Sequence, residues 1–290
     1  MMINRRLIDA VGESRKYIAG NVVAQWISLA ANIVMMGTMA HFLQCLYENA
    51  LRKQDVLFHI FLIILSLAVR FVCALFSSRM GYLSAKSVKR TLREKIYRKL
   101  LRLGNSYREQ VQTSEVVQIA VEGVDQLETY FGAYLPQLFY AMLAPLTLFV
   151  VMSTISMPAA IILLVCVPLI PVTIMLAKYW GEYTALGDTF LENLQGLTIT
   201  KIYQSDEFKH REMNEQSEHF RKITMKVLSM QLNSITVMDL IAYGGAALGV
   251  ILAVNQFRSG AIELAGCLMI ILLAADFFLP MRMLGSFFHI

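Results

Sequence analysis

Long apolar runs separated by charged stretches set the pattern of this chain. Apolar residues dominate at about 17–43, 56–78, 130–153, 158–179, 235–257 and 262–285. Each run approaches or exceeds the roughly 20 mostly apolar residues that a helix needs to cross a bilayer. Backbone polar groups in lipid must be satisfied inside their own segment, so the pattern predicts six transmembrane helices and an all-α, polytopic fold. Residues 1–16 form a short basic amphipathic lead with Arg5, Arg6, Arg15 and Lys16. The third run holds Pro136 and Pro145, and the fourth holds Pro168 and Pro171. Membrane helices tolerate such prolines where neighbours satisfy the freed carbonyls.

The links alternate in length. Those after the first, third and fifth runs are short, and the third is only 154–157. Those after the second and fourth are each about 50 residues. The first long segment carries ten Lys or Arg against six acids. With the basic lead, this charge bias places the long segments and both termini in the cytoplasm of an inner or plasma membrane. Neither long segment reads as loop. From 84 to 103 there is no glycine or proline, and Val88, Leu92, Ile96, Leu100 and Leu103 recur at three- and four-residue steps. The second helix is therefore expected to run about 25 residues, or roughly 37 Å, past the membrane, with Gly104 and Asn105 as its stop. A short helix is expected over 113–121, before a rising helix becomes the third span. The fourth helix is expected to overrun to about 191, and 206–227 to climb back as the start of the fifth.

Composition fits this picture: 57% of residues are hydrophobic and 16% charged, where soluble domains average about a quarter charged. A net charge of +5 raises nucleic-acid binding, but the basic residues flank apolar runs, which excludes it. Cys45, Cys73, Cys166 and Cys267 have no metal-ligand spacing, and neither a disulfide framework nor a metal site is expected. The first apolar run is too long for a cleavable leader, and none is expected.

Several residues are candidates for more than scaffolding. Arg70 lies mid-way along the second run. A charge at that depth is costly and faces a water-filled cavity or a partner. One reading makes it an anion-attracting group in a substrate path, suited to glutathione carboxylates or haem propionates. The other pairs it structurally with Asp239 or Asp276. Asp276 is either a substrate-binding or proton-linked carboxylate, or a cytoplasm-side polar position or one half of an interhelical salt bridge; at six residues from Arg282 it lies about 240° round the helix, about 120° the short way, and does not simply pair with it. Asp239 needs no special role. Gly245 and Gly249, with Ala242 and Ala253, form a small-residue face for close helix packing. Seventeen methionines are consistent with soft surfaces that repack, or with ordinary core usage. His41, His59, His210, His219 and His289 are scattered, and each alone reads as an ordinary surface or interface histidine, with a haem ligand among them the alternative.

Six spans with two long helical hairpins resemble the membrane domain of type I ABC exporters. Glu192-Asn193-Leu194-Gln195-Gly196 is similar to the E-x-x-x-G element of their second coupling helix. Within that group the chain most resembles the CydD subunit of CydDC exporters, which are associated with cytochrome bd assembly. The phrases are Met80-Gly81-Tyr82, Tyr134-Leu135-Pro136-Gln137, Pro168-Leu169-Ile170-Pro171, Phe220-Arg221-Lys222-Ile223-Thr224-Met225 and Phe277-Phe278-Leu279-Pro280-Met281-Arg282. The resemblance implies short helices around Glu115 and Gln118 and around Glu192 and Gly196 that dock on nucleotide-binding domains. It implies a CydC-like second subunit, and export of cysteine or glutathione, with haem the competing cargo. No G-x-x-x-x-G-K-[ST] occurs in the sequence, so ATP and Mg are expected on a domain outside it, and this chain alone is expected neither to bind nor to hydrolyse ATP. The alternatives are an exporter domain for a lipid or drug, a nucleotide-independent transporter, or an inactive fragment.

Overall fold

The computed structural model describes residues 12, 14–49, 53–103, 118–171 and 206–287. Nearly all of them are helical. α1 (Ser14–Tyr47) and α2 (Lys53–Leu103) form an antiparallel hairpin closed by a short turn at Glu48 and Asn49. A rising helix spans Ile119–Ser153 and is built of two widened π-helical stretches, Ile119–Gly123 and Tyr130–Tyr134, flanking α3 (Val124–Thr129) and leading into α4 (Leu135–Ser153). α5 is Met157–Cys166, α6 is Asp206–Arg258, α7 is Leu264–Leu273 and α8 is Leu279–Ser286. Among the described residues, four helices are long and apolar enough to cross a membrane, Ser14–Tyr47, Gln54–Leu103, Ile119–Ser153 and Leu232–Arg258, while Met157–Pro171 and Leu264–Leu273 are shorter apolar helices.

The long helices follow the expected pattern. α2 runs on without a break to Leu103, and the expected climb from 206 is continuous with the fifth span in one helix of 53 residues. Two expectations need correction. In its described part the fourth span is not a regular α-helix throughout: after Cys166 the ladder gives way to a turn at Val167 and Pro168, with Val167 N–H donating to Leu164 O and Ile170 N–H to Val167 O, before helix resumes at 169–171. Pro168 has no N–H and cannot continue the ladder. The sixth span is likewise interrupted, passing through a single 3-10 turn at Ala275–Phe277 between α7 and α8. Pro280 stands four residues after Asp276, so it removes the donor that the Asp276 carbonyl would otherwise receive. The short helix expected over 113–121 is also revised where it is described, because Gln118–Val121 belongs to the foot of the rising helix. The rest of that segment, the stop at Gly104 and Asn105, and the overrun to about 191 lie outside the described residues.

Two kinds of seam hold the bundle. At Gly245 and Gly249, where α6 meets α5 and Phe278 at the head of α8, the contact is apolar and close. A Cβ added to Gly245 would stand 2.8 Å from the Phe278 ring and 3.0 Å from the Cys166 Cβ, and one on Gly249 would stand 2.8 Å from Leu163. Ala242 and Ala253 continue that buried face, as small residues do where helices pack without help from water. Ser156 starts α5 by accepting from Ala159 N–H at 3.3 Å.

The hairpin of α1 and α2 is joined differently, by polar rungs. Ser84 Oγ donates to Phe131 O at 3.1 Å, which leaves Ser14 Oγ as the donor to Ser84 Oγ at 2.6 Å. Ser77 Oγ donates to Asn21 Oδ1 at 2.6 Å. Arg70 Nη1 reaches Met35 Sδ at 4.0 Å. The α2 rungs at 84, 77 and 70 fall at steps of seven residues, and the α1 rungs at 14, 21 and 35 at one step of seven and one of fourteen, multiples of the repeat of two helices facing each other along one stripe. Below the crossing of α2 with the rising helix, Lys89 Nζ contacts Asp125 Oδ1 at 2.9 Å and also pairs with Glu128.

Candidate functional site: a polar cluster between four helices

Deep in the bundle, α1, α2, α4 and the break between α7 and α8 bring polar groups together. Asn32 Nδ2 donates to Asp276 Oδ2 at 2.6 Å. Asn32 is 7% exposed and its Oδ1 is buried with no hydrogen-bond partner. The charge of half-buried Arg70 acts on both Asp276 and Tyr140. Asp276 lies in the 3-10 turn, where the helix is already opened. A short 3-10 stretch inside a helix often marks a functional hinge.

The two readings of Arg70 separate here. Asp239 is not its partner, because Arg282 takes that carboxylate with two bonds, Nε to Oδ1 at 2.6 Å and Nη2 to Oδ2 at 3.1 Å. The Arg282 guanidinium also lies 5.7 Å from the Tyr243 ring centroid, within cation–π range. The expectation that Asp239 has no special role is therefore corrected: it ties α6 to α8. Asp276 and Arg282 do not pair with each other, in line with their angular separation. Asp276 is bonded to Asn32 rather than to Arg70, and among the described residues no ion pair within 4.0 Å engages Arg70.

The cluster therefore presents one cation, one carboxylate and one orphan amide oxygen. A buried acceptor without a donor costs about 1–3 kcal/mol, so the Asn32 oxygen favours any ligand that brings an N–H to it. Asn32 is the residue that sequence reasoning missed. Its signal was available: Asn21, Ser28, Asn32 and Met35 lie along one stripe of an otherwise apolar helix. Nearby, Gln137 Nε2 donates to Pro280 O at 2.9 Å and holds α8 against α4.

At the end of the bundle where the links are short, a cavity of about 470 Å³ is lined by His41, Thr154, Ile155, Glu263, Gly266 and Met269, among others. Gln44 braces it, donating to Glu263 Oε2 at 3.3 Å and accepting from Ala265 N–H at 3.1 Å. Two histidines that the sequence scatters meet here: His41 Nδ1 and His59 Nε2 are 3.2 Å apart. Both are interface histidines, and what the sequence did not show is that they face each other across α1 and α2.

Of the expected docking residues, Gln118 stands exposed at the foot of the rising helix, while Glu115, Glu192 and Gly196 lie outside the described residues.

Residues 17–281 match the model of the ABC transporter transmembrane region. An uncharacterized ABC transporter ATP-binding protein of Haemophilus influenzae is 47% identical over 274 residues, which cover 91% of this chain and 49% of that protein. The glutathione/L-cysteine transport system ATP-binding/permease protein CydD of Escherichia coli is 26% identical over 270 residues, 87% of this chain and 46% of that protein. The CydC protein of the same description from Bacillus subtilis is 25% identical over 207 residues, 68% of this chain and 36% of its own length. The chain spans about half the length of the first of these relatives, and less of the others.

Proposed function

Because the chain belongs to the ABC transporter transmembrane region family, we propose that it forms the membrane half of an ATP-driven exporter whose cargo is a small zwitterionic thiol. The observation that carries this reading is the convergence of Arg70, Asn32 and Asp276. A free amino acid or short peptide offers a carboxylate for Arg70 and an ammonium group for Asp276 and the unfilled Asn32 oxygen. Cysteine and glutathione satisfy both demands, and they are the cargo named for the CydD and CydC relatives. Haem offers propionates to Arg70 but no ammonium for the acceptors, so the site's chemistry favours the thiol.

In this reading the six apolar segments cross an inner or plasma membrane with the long helical extensions in the cytoplasm, and a second, CydC-like subunit completes the cavity. Nucleotide-binding domains carrying ATP and Mg dock on the tips, with Glu115, Gln118, Glu192 and Gly196 as the polar contacts. Their closure tilts the long helices and shifts the cavity from one face of the membrane to the other. Arg70 attracts the cargo where water is scarce: opposite charges at about 4 Å gain roughly 4 kcal/mol at an effective dielectric of 20, and desolvation offsets part of this.

The test is equilibrium binding of labelled glutathione to the complete transporter in lipid nanodiscs. Arg70→Gln is expected to weaken binding about tenfold, or about 1.4 kcal/mol. Arg70→Lys should keep part of the affinity, because the charge persists and the bidentate fork is lost. Asn32→Leu should weaken glutathione more than haem. Unchanged glutathione binding in Arg70→Gln at normal expression would overturn the assignment, and tighter dependence of haem than of glutathione on Asn32 would move the cargo to haem.

A further inference from the structure

We infer that His41 and His59 form a proton-operated latch between α1 and α2 at the short-link end of the bundle. The ring planes are 10° apart and the centroids 5.4 Å apart, while the facing nitrogens are separated by 3.2 Å. Face-to-face rings with nitrogens that close would bring the centroids much nearer. The rings therefore lie side by side in nearly one plane, with an N–H of one aimed at the lone pair of the other.

The tautomers follow from the partners. His59 Nδ1 lies 2.6 Å from the Asp55 carbonyl oxygen, which only accepts, so Nδ1 carries a proton. In the neutral ring Nε2 is then the acceptor, and His41 Nδ1–H must be the donor to it. A first added proton goes to the far nitrogen of His41 and leaves this bond in place, now assisted by charge. A second must go to His59 Nε2, which sets two N–H groups and two positive charges against each other and breaks the bond. The pair thus binds one proton closed and opens on the next.

The surroundings make the response local. The titratable groups around the pair are Cys45, whose Sγ is 3.6 Å from His41 Nδ1, Glu48 on α1, Asp55 on α2 and Glu263 on the cavity wall that His41 shares. Gln44 Nε2 donates to Glu48 Oε1 at 2.8 Å and to Glu263 Oε2 at 3.3 Å. His59 is 9% exposed, with the Phe42 and Phe58 rings on its flanks. Among the described residues no three ligating side chains are placed to hold a metal ion. Opening the latch frees one wall of the 470 Å³ cavity.

Backbone hydrogen exchange of the complete transporter in lipid vesicles, corrected for the intrinsic effect of pH, tests this. In peptides covering 41–49 and 53–60, the corrected rate should rise about tenfold from about pH 8 to about pH 4.5, the range over which histidines charge. His41→Gln and His59→Gln should remove the rise, since glutamine does not titrate. Nitrogen NMR of histidine-labelled wild-type chain gives an independent reading should a variant fold poorly. It should find His59 Nδ1 protonated and Nε2 hydrogen-bonded near neutral pH, and in acid both rings doubly protonated with no bond between them. An equal rise in wild type and variants, or an unprotonated His59 Nδ1 near neutral pH, would overturn the latch.

Discussion

The seam between α6 and its neighbours α5 and α8 is close and carbon-lined at Gly245 and Gly249, whereas that between α1 and α2 is a ladder of polar rungs. At the first, Gly245 and Gly249 leave no room even for a methyl group beside Phe278 and Leu163. At the second, Ser14, Asn21, Met35 and His41 each meet a polar or charged group of α2. Packing of this closeness has one good arrangement and resists sliding. Hydrogen bonds between side chains in a membrane are worth only about 0.6 kcal/mol on average, so rungs can exchange partners without loss of the fold. The molecule therefore combines a fixed joint with an adjustable one, and the polar cluster at Asp276 lies where the two meet.

The largest test of this contrast is Gly245→Leu. Overpacking costs typically 1–3 kcal/mol where a core can adjust, and here the obstacles include a buried ring and a neighbouring Cβ. Little folded protein is expected in a detergent-based thermal assay, whereas Ser77→Leu on the laddered seam should still fold. Equal loss in both would erase the distinction. Next in size is the tie between α6 and α8. A double-mutant cycle with Asp239→Asn and Arg282→Gln should give a coupling on the order of 1 kcal/mol, since both side chains are partly exposed. Additive single effects would mean that the apolar packing alone positions α8. Removing one rung, as in Ser77→Ala, should cost about 0.6 kcal/mol in the same assay.

The smallest expected effect lies outside the membrane segments. Hydrogen bonds to Glu128 and Asp125 hold the Lys89 ammonium above its ordinary range, and the Lys89 contact holds the Asp125 carboxyl below its own. A lowered carboxyl contributes stability above its unfolded pKa and loses it as pH falls through the folded value; a raised amine contributes below its unfolded pKa and loses it as pH rises through the folded value. Thermal midpoints should thus be flat across neutral pH, with a slight fall in strong acid and in strong alkali. Asp125→Asn should remove the part of the acid-side fall that Lys89 and Asp125 contribute.

The long architecture was legible because it rests on composition. Runs of apolar residues and the stripe from Val88 to Leu103 place α1, α2, the rising helix and α6 to within a few residues. The breaks were not, because membrane helices often absorb a proline, as α4 absorbs Pro145. Only the neighbours decide, and Gln137 bonded to the Pro280 carbonyl is invisible in a linear pattern. For the site, depth pointed to Arg70 and Asp276, while the partner depended on rotation: Asn32 and Arg282 claimed the carboxylates that remained open for Arg70. His41 and His59 are 18 positions apart, and they meet because the hairpin turns midway between them.

The unbroken length of α6 has a mechanical consequence. A helix of 53 residues is about 80 Å long at 1.5 Å per residue. Gly245 and Gly249 pack it closely against Phe278 and Leu163, so a rigid tilt about that seam would turn the helix away from its middle. The arm from Gly245 down to Asp206 is about 58 Å, and the arm up to Arg258 about 20 Å. Such a lever trades distance for force at roughly three to one: a swing of about 6 Å at Asp206 arrives at Arg258 as about 2 Å. A large, weak displacement at the far tip is thereby converted into a small, forceful one beside the short-link cavity.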